Sequence, residues 1–382
     1  MKKSSKLSFF AHYDLVLLVC TLLLTALGLT VLYSSGLRSE VTPTQLDTSR
    51  QIIYVLVGLG LLFGVSRLDY RVLRDYAPML YGLMLVTLLF VAVFGANRLG
   101  ATRWINLGFF QFQPSEFAKL FLIIFFAWFF SKYYVSLRQV RYLMFSVALL
   151  LIPLALVLAQ PDLGTALVFV AIWLSMVLAS KVPKRYVIAL VAAALIVLPF
   201  AYQYLAPYQK QRLETFINPT ANPATTGYNV NQAIIAVGSG GVWGQGLTAG
   251  SQSEGNFLPS QQTDFIFAVL SEKLGFVGAG LAILIFVVLI FRALMIARAA
   301  PDYFGSFFAV GVAAMLLFHV LINIGMNMGI MPVTGIPLPF ISAGGSSMLV
   351  MLVSIGVLES IYLRRRPNLL YSDPERVSFS KV

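Results

Sequence analysis

Two stretches of the chain deliver a carboxylate to the start of a long apolar run: Gln113-Pro-Ser-Glu-Phe-Ala-Lys119 and Gln261-Gln-Thr-Asp264. An acid placed there either caps the helix that follows, because a helix N-terminus favours an anion, or takes a proton from a hydroxyl bound at the helix mouth. Asp264 carries both readings. It closes residues 207–263, the one long polar segment of the chain. Pro114 and Glu116 fit the first turn of a helix in the same way. Lys119 lies three residues from Glu116, hence on the same helix face, and inside the apolar block. A charge there is costly unless it pairs with Glu116 or meets an anion.

Further groups suit an anionic ligand. Arg103 precedes Trp104, and while the tryptophan is placed as an interfacial anchor, the guanidinium is the better phosphate or pyrophosphate ligand. Asp162, in Gln160-Pro-Asp-Leu-Gly-Thr165, sits in a very short turn where helix capping competes with a role in the site. Glu272 and Lys273 fall about two turns into the run that Asp264 opens. Gly344, Gly345 and Ser346 open the last apolar block with N–H groups that form either an anion site or a tight turn. The run 238–250 is glycine-rich and reads as a loop adapted to a polar substrate or as turn chemistry. His12 and His319 are isolated and read as interface or packed residues. No His or Cys pair has metal-ligand spacing.

The elements holding these residues must be membrane helices. Hydrophobic residues are 59% of the 382 and charged residues 11%, a ratio that belongs in a bilayer. Ten blocks are long enough to span one: 13–33, 51–66, 76–94, 116–130, 142–159, 163–180, 186–205, 264–291, 303–325 and 343–363. The expected fold is an all-α integral membrane protein of ten transmembrane helices, a single polytopic domain over 1–382. It would carry a large extracytoplasmic loop, 207–263, between helices 7 and 8. Pro332, Pro337 and Pro339 forbid a continuous helix nearby, so a re-entrant segment is expected over 326–342. The block opening at Asp264 has 28 residues before Arg292, about 42 Å of helix against a hydrocarbon core of about 30 Å, so it overshoots outward.

Charge sets the orientation. Counting loops alternately, 19 of the 27 Lys and Arg residues fall on one side, including both tails. The positive-inside rule makes both termini cytoplasmic and turns the long loop outward. The net charge of +12 is then topogenic and calls for no nucleic-acid partner. The only cysteine, Cys20, lies in the first span, so no intrachain disulfide is possible. That span is too long for a cleaved signal and reads as a retained anchor. The cytoplasmic loops are too short for a nucleotide-binding domain and no GxxxxGK[ST] occurs, which excludes an ATP-driven pump acting alone. No repeat of the kind that builds secondary transporters stands out.

The pattern N-x5-G-x2-P-x2-GIPLPFIS-x-GGSS from Asn323 to Ser347, with QPSEFAK, QPDLGT and QQTDFIFAVLSEKLG, resembles the SEDS family of cell-wall proteins, most closely its RodA-type branch, over essentially the whole chain. The resemblance implies a ten-helix peptidoglycan glycosyltransferase of the cytoplasmic membrane that polymerises lipid II during elongation and shape maintenance. The implied partners are a class B penicillin-binding protein and the elongation machinery. It makes Asp264 the essential acid and puts Arg103, Glu116, Lys119 and Asp162 around the substrate cavity; read from the residues themselves, Lys273 suits the lipid pyrophosphate, and Ser342, Gly344 and Gly345 are further substrate-binding candidates. Glu272-Lys273 departs from the two acids that many members have there. No tightly bound cofactor or protein-held metal is implied; a divalent cation such as Mg2+ would accompany the substrate pyrophosphate. The competing reading is a lipid-linked precursor flippase, which needs paired charges at several membrane depths. Here the ionisable residues cluster near one mouth, which favours the enzyme. A septal or sporulation homologue of the same family and a non-catalytic scaffold also compete.

Overall fold

The computed structural model describes residues 12–36, 43–94, 96–98, 101–106, 111–203, 207–218, 226–253, 255, 257–258 and 260–365. Each of the ten apolar blocks is a helix: α1 (Leu15–Gly36), α2 (Pro43–Arg67), α4 (Ala77–Phe94), α5 (Pro114–Lys132), α6 (Val140–Ala159), α7 (Leu163–Ala179), α8 (Lys184–Gln203), α11 (Ile266–Ala299), α12 (Tyr303–Asn327) and α13 (Gly345–Leu363), with a short α3 (Arg71–Asp75) after the second. Among the described residues eight are long and apolar enough to cross a membrane. Of the other two, α7 has 17 residues and α8 has 20, with Lys184 and Arg185 in its first turn.

The bundle is all-helical, as expected, and a small antiparallel sheet of β1 (Ala96–Arg98), β2 (Ala101–Asn106) and β3 (Gln111–Phe112) joins α4 to α5 outside it. The segment 207–263 between α8 and α11 contains helices of its own. It holds α9 (Pro207–Ile217) and α10 (Thr226–Ser239), whose mixed polar and apolar residues form helices that lie against the bundle rather than cross it.

Helices α5, α12 and α13 form the centre. Phe126, Phe130, Phe308, Met315 and Leu352 are fully buried there, while α2, α4, α6 and α11 turn side chains such as Leu56, Val86, Ile152 and Leu284 to the surface, as hydrocarbon requires. Proline inside α6 shows the same constraint at one atom. Pro153 has no N–H for the Leu149 carbonyl, and the Tyr81 hydroxyl donates to that carbonyl at 2.7 Å instead. At the Arg292 end of α11, Arg292 pairs with Asp14, whose backbone N–H donates to Glu359 at 2.9 Å, joining α1, α11 and α13.

The sequence suggests one continuous helix from Asp264, but α11 breaks. Gly275 has φ 68° and ψ −168°, and the glycine-rich run inserts into the break. Gln245 and Gly246 donate N–H bonds to the carbonyls of Glu272 and Lys273, at 2.9 and 3.1 Å. Phe276 and Val277 donate to the carbonyls of Gly241 and Val242, at 2.9 and 3.1 Å. Groups orphaned by the break are therefore paired by the loop, which is what buried backbone demands. The approach needs glycine: a Cβ on Gly244 would lie 2.2 Å from the Lys273 carbonyl oxygen. Turn chemistry in the service of a backbone splice accounts for residues 241–246 of this run.

Candidate active site

Asp264 stands on a shelf of non-helical backbone at one end of the bundle. The N-cap of α11 is Phe265, so Asp264 lies one residue outside the capping position. The cap comes instead from another helix. Asn327 Oδ1, at the end of α12, accepts from the N–H of Ala268 at 3.1 Å, the third residue of α11, which is the donor an N-cap side chain normally serves. The same side chain donates through Nδ2 to the Asp264 carbonyl at 3.0 Å, and Asn323, one turn earlier on α12, donates to that carbonyl at 3.0 Å as well. The backbone of Asp264 is fixed by two fully buried amides.

The other wall of the shelf is 328–344, which runs between α12 and α13 without helix. Its start falls two residues later than the sequence suggests, because Met326 and Asn327 still belong to α12. Asn323 also donates to the Ile336 carbonyl at 2.8 Å. Ser342 Oγ donates to the Thr263 carbonyl at 2.7 Å and accepts from Leu338 N–H at 2.8 Å, and Ala343 N–H donates to the Gln262 carbonyl at 2.9 Å. Ser342 thus staples the segment to the residues leading into Asp264. Gly335, at φ 78°, faces the carboxylate: a Cβ there would lie 3.5 Å from Asp264 Oδ2 and 3.9 Å from Arg212 Nη1. Arg212, on α9, also lines a small cleft of about 30 Å³ with Thr215, Val230, Ile234 and Met331, room for about two waters.

Behind the shelf lies a buried charge cluster. Lys119 Nζ donates to Glu116 Oε1 at 2.7 Å and contacts His319 Nε2 at 3.2 Å, while His319 Nδ1 is 3.1 Å from the Pro337 carbonyl oxygen. The side chains of Lys119 and Glu116 are 2% and 5% exposed. Removing one partner of such a pair leaves an uncompensated charge and costs about 3–5 kcal/mol. The expected pairing of Glu116 with Lys119 is what the structure contains.

The remaining expected residues are placed differently. Asp162 is the N-cap of α7, accepting from Thr165 N–H at 3.2 Å and Thr165 Oγ1 at 2.9 Å, and Ser115 Oγ at 3.4 Å links it to the turn that holds Glu116. Lys273 is buried beneath the loop and donates to the Leu247 carbonyl at 2.9 Å, so its ammonium holds loop backbone. Glu272 does the complementary work, accepting from the N–H groups of Gln252 and Ser253 at 2.8 and 3.0 Å. The Gly344 N–H, expected at an anion site, donates to Gln51 Oε1 at 3.0 Å, and Gly345 packs against the Tyr54 ring, close to where its own Cβ would be. Arg103 lies on β2, and its side chain is outside what the structure describes.

Four residues at the site, Arg212, Asn323, Asn327 and His319, are missing from the set that the sequence suggests. A signal for the last three exists all the same: His319, Asn323 and Asn327 are polar residues four apart within apolar sequence, one stripe of a helix.

Apolar helices around a carboxylate held on a buried non-helical shelf, with an ammonium–carboxylate–imidazole cluster behind it, define a multi-pass membrane protein with a polar site let into one end of its bundle. Residues 14–366 match the FTSW_RODA_SPOVE family of cell cycle proteins, and the chain belongs to that family. It is 33% identical to the peptidoglycan glycosyltransferase RodA of Treponema pallidum, over 93% of this chain and 98% of that one. It is 38% identical to the peptidoglycan glycosyltransferase MrdB of Escherichia coli K12, over 83% and 86%. Among solved structures it is similar to a chain of a peptidoglycan synthase complex that coordinates polymerization and crosslinking, at TM-score 0.76 and 31% identity, covering 92% of this chain and 97% of that one. The rod shape determining protein RodA of Thermus thermophilus matches at TM-score 0.68 and 30% identity, covering 96% and 100%.

Proposed function

We propose that this protein is a peptidoglycan glycosyltransferase that polymerises lipid II into glycan strands on the outer face of the cytoplasmic membrane, in elongation and shape maintenance. The observation that carries the mechanism is the Asn327 cap. Because Asn327 serves the N-terminus of α11, the helix does not require the Asp264 carboxylate, and the two amides on the Asp264 carbonyl hold the residue in place. The relatives named as peptidoglycan glycosyltransferases support the substrate class.

In the proposed step Asp264 accepts the proton of the 4-hydroxyl of the acceptor N-acetylglucosamine. That oxygen attacks C1 of the donor N-acetylmuramic acid as the C1–O bond to the lipid pyrophosphate breaks, with one inversion, and the bonding pair leaves on the pyrophosphate. Arg103, Arg212 and Lys119 supply positive charge on the leaving-group side, with Glu116 setting the place of Lys119. Ser342 and the Gly344-Gly345 turn shape the cavity wall, and Asp162 and Lys273 hold its supports. Departure of pyrophosphate drives the reaction, so no nucleotide is needed. No protein-held cofactor enters; a divalent cation such as Mg2+ would arrive with the pyrophosphate.

The same reading has ten membrane spans in one domain, both termini in the cytoplasm and 207–263 outside, as the cation distribution supports. A class B penicillin-binding protein is the proposed partner within the elongation machinery, a reading helped by the similarity to a chain of a synthase complex that couples polymerization to crosslinking. No nucleic acid is involved. Polymerisation in detergent micelles separates this from a flippase, since translocation has no meaning there. Purified protein with lipid II should yield glycan strands; intact substrate after prolonged incubation, with the protein shown to be folded, would overturn the proposal.

A further inference from the structure

His319, Asn323 and Asn327 stand four residues apart on α12, are all fully buried and point along one stripe. The two asparagines grip the Asp264 carbonyl and Asn323 grips that of Ile336. His319 is the inner end of the same stripe and cross-links it to α5. A lysine ammonium has only protons to offer, so at 3.2 Å from Lys119 Nζ the Nε2 of His319 is the acceptor. Its ring proton then sits on Nδ1 and is donated to the Pro337 carbonyl, 3.1 Å away. Both ring nitrogens are bonded, and the two partners fix the tautomer.

Lys119 has a flexible four-carbon stem, and Glu116 holds it from its own helix alone. Glu116 does so through Oε1, while Oε2 is buried without a hydrogen-bond partner among the described residues. A second point is needed to fix the ammonium in space, and His319 supplies it. Through Pro337 that point is tied to the shelf that also carries Asp264.

We infer that His319 is a positioning residue for glycosyl transfer: it fixes the Lys119 ammonium and sets its distance from Asp264 through the α12 stripe and the 336–338 backbone. This rests on the function proposed above. His319 touches no reacting atom; it acts through Lys119, and its effect must vanish when Lys119 is gone.

The test is a double-mutant cycle on the full-length protein in detergent, with polymerisation rates measured over a range of lipid II concentrations. His319→Leu should lower kcat about 10- to 100-fold with KM changed by less than about threefold, His319→Gln, which keeps an acceptor and a donor, should stay within about threefold of the parent, and in a Lys119→Met background His319→Leu should add less than about twofold. If the leucine variant does not fold, His319→Asn, too short to reach both partners, takes its place. Parental activity in the leucine variant, a loss that multiplies in full on Lys119→Met, or a glutamine variant as poor as leucine would each overturn the inference. A parent that makes no polymer would defeat the functional reading itself. An active parent with an impaired Asp264→Asn and an unimpaired His319→Leu would defeat only the role of His319.

Discussion

Asn327 holds Asp264 with one end of its side-chain amide, donating to the carbonyl at 3.0 Å, and with the other end caps the helix that follows, accepting from Ala268 N–H at 3.1 Å. A single residue of α12 thus does the work that would otherwise fall to the acid. Asn327→Ala should lose the cap, worth about 1 kcal/mol, and leave buried backbone groups short of a partner at a cost of about 1–3 kcal/mol. Thermal unfolding in detergent should show that loss, with a fall in polymerisation rate beside it. Unchanged stability and rate would mean that the contact is incidental.

The splice at Gly275 sorts glycines that look alike in sequence. A Cβ on Gly238 meets nothing within 4 Å, whereas one on Gly244 would lie 2.2 Å from the Lys273 carbonyl oxygen at a φ of 82°. Gly238→Ala should melt within a degree or two of the parent. Gly244→Ala should be destabilised by more than about 2 kcal/mol, since the left-handed backbone alone costs an alanine about 1–2 kcal/mol. Equal melting temperatures for the two variants would remove the splice.

Much of the fold is legible in the sequence. The ten apolar blocks coincide with helices because apolar length alone forces a helix in hydrocarbon, and the Glu116–Lys119 pair follows from i,i+3 spacing. Prolines 332, 337 and 339 announce the non-helical shelf. The glycine run and the roles of Lys273 and Gly344 are not legible, because each is settled by a backbone or side-chain partner distant in sequence: Leu247 for Lys273, Gln51 for Gly344, and residues 272–277 for the run. Hydropathy also hides α9 and α10, whose mixed composition reads as loop and whose Arg212 counts only as one more external cation.

The buried pair gives a third prediction. Lys119→Ala should impair polymerisation more than Lys119→Arg, and Lys119→Met should lower stability by about 3–5 kcal/mol because Glu116 is left buried and charged. The double variant Glu116→Gln with Lys119→Met, which buries no charge, should recover much of that stability without recovering activity. Denaturation midpoints and lipid II polymerisation at matched protein amounts check both parts. A double variant less stable than Lys119→Met alone would contradict the assignment.

Topology is testable in intact cells. A small tag at Ser251, in the loop that Glu272 ties down, should react with an impermeant reagent from outside, while tags at Ser4 and Ser380 should react only after permeabilisation. External reactivity at either terminus would remove the ten-span map.

The central claim is that Asp264 takes the proton of the attacking hydroxyl, and Asp264→Asn tests it most directly because it keeps volume and some hydrogen bonding but cannot accept that proton. Since Asn327 caps α11 whether residue 264 is Asp or Asn, the variant should fold and melt like the parent. Its lipid II polymerisation rate should fall by about 10²- to 10⁴-fold, the range of general base catalysis, or about 2.7–5.4 kcal/mol of barrier. A folded Asp264→Asn protein that polymerises lipid II within a few-fold of the parent would contradict the account.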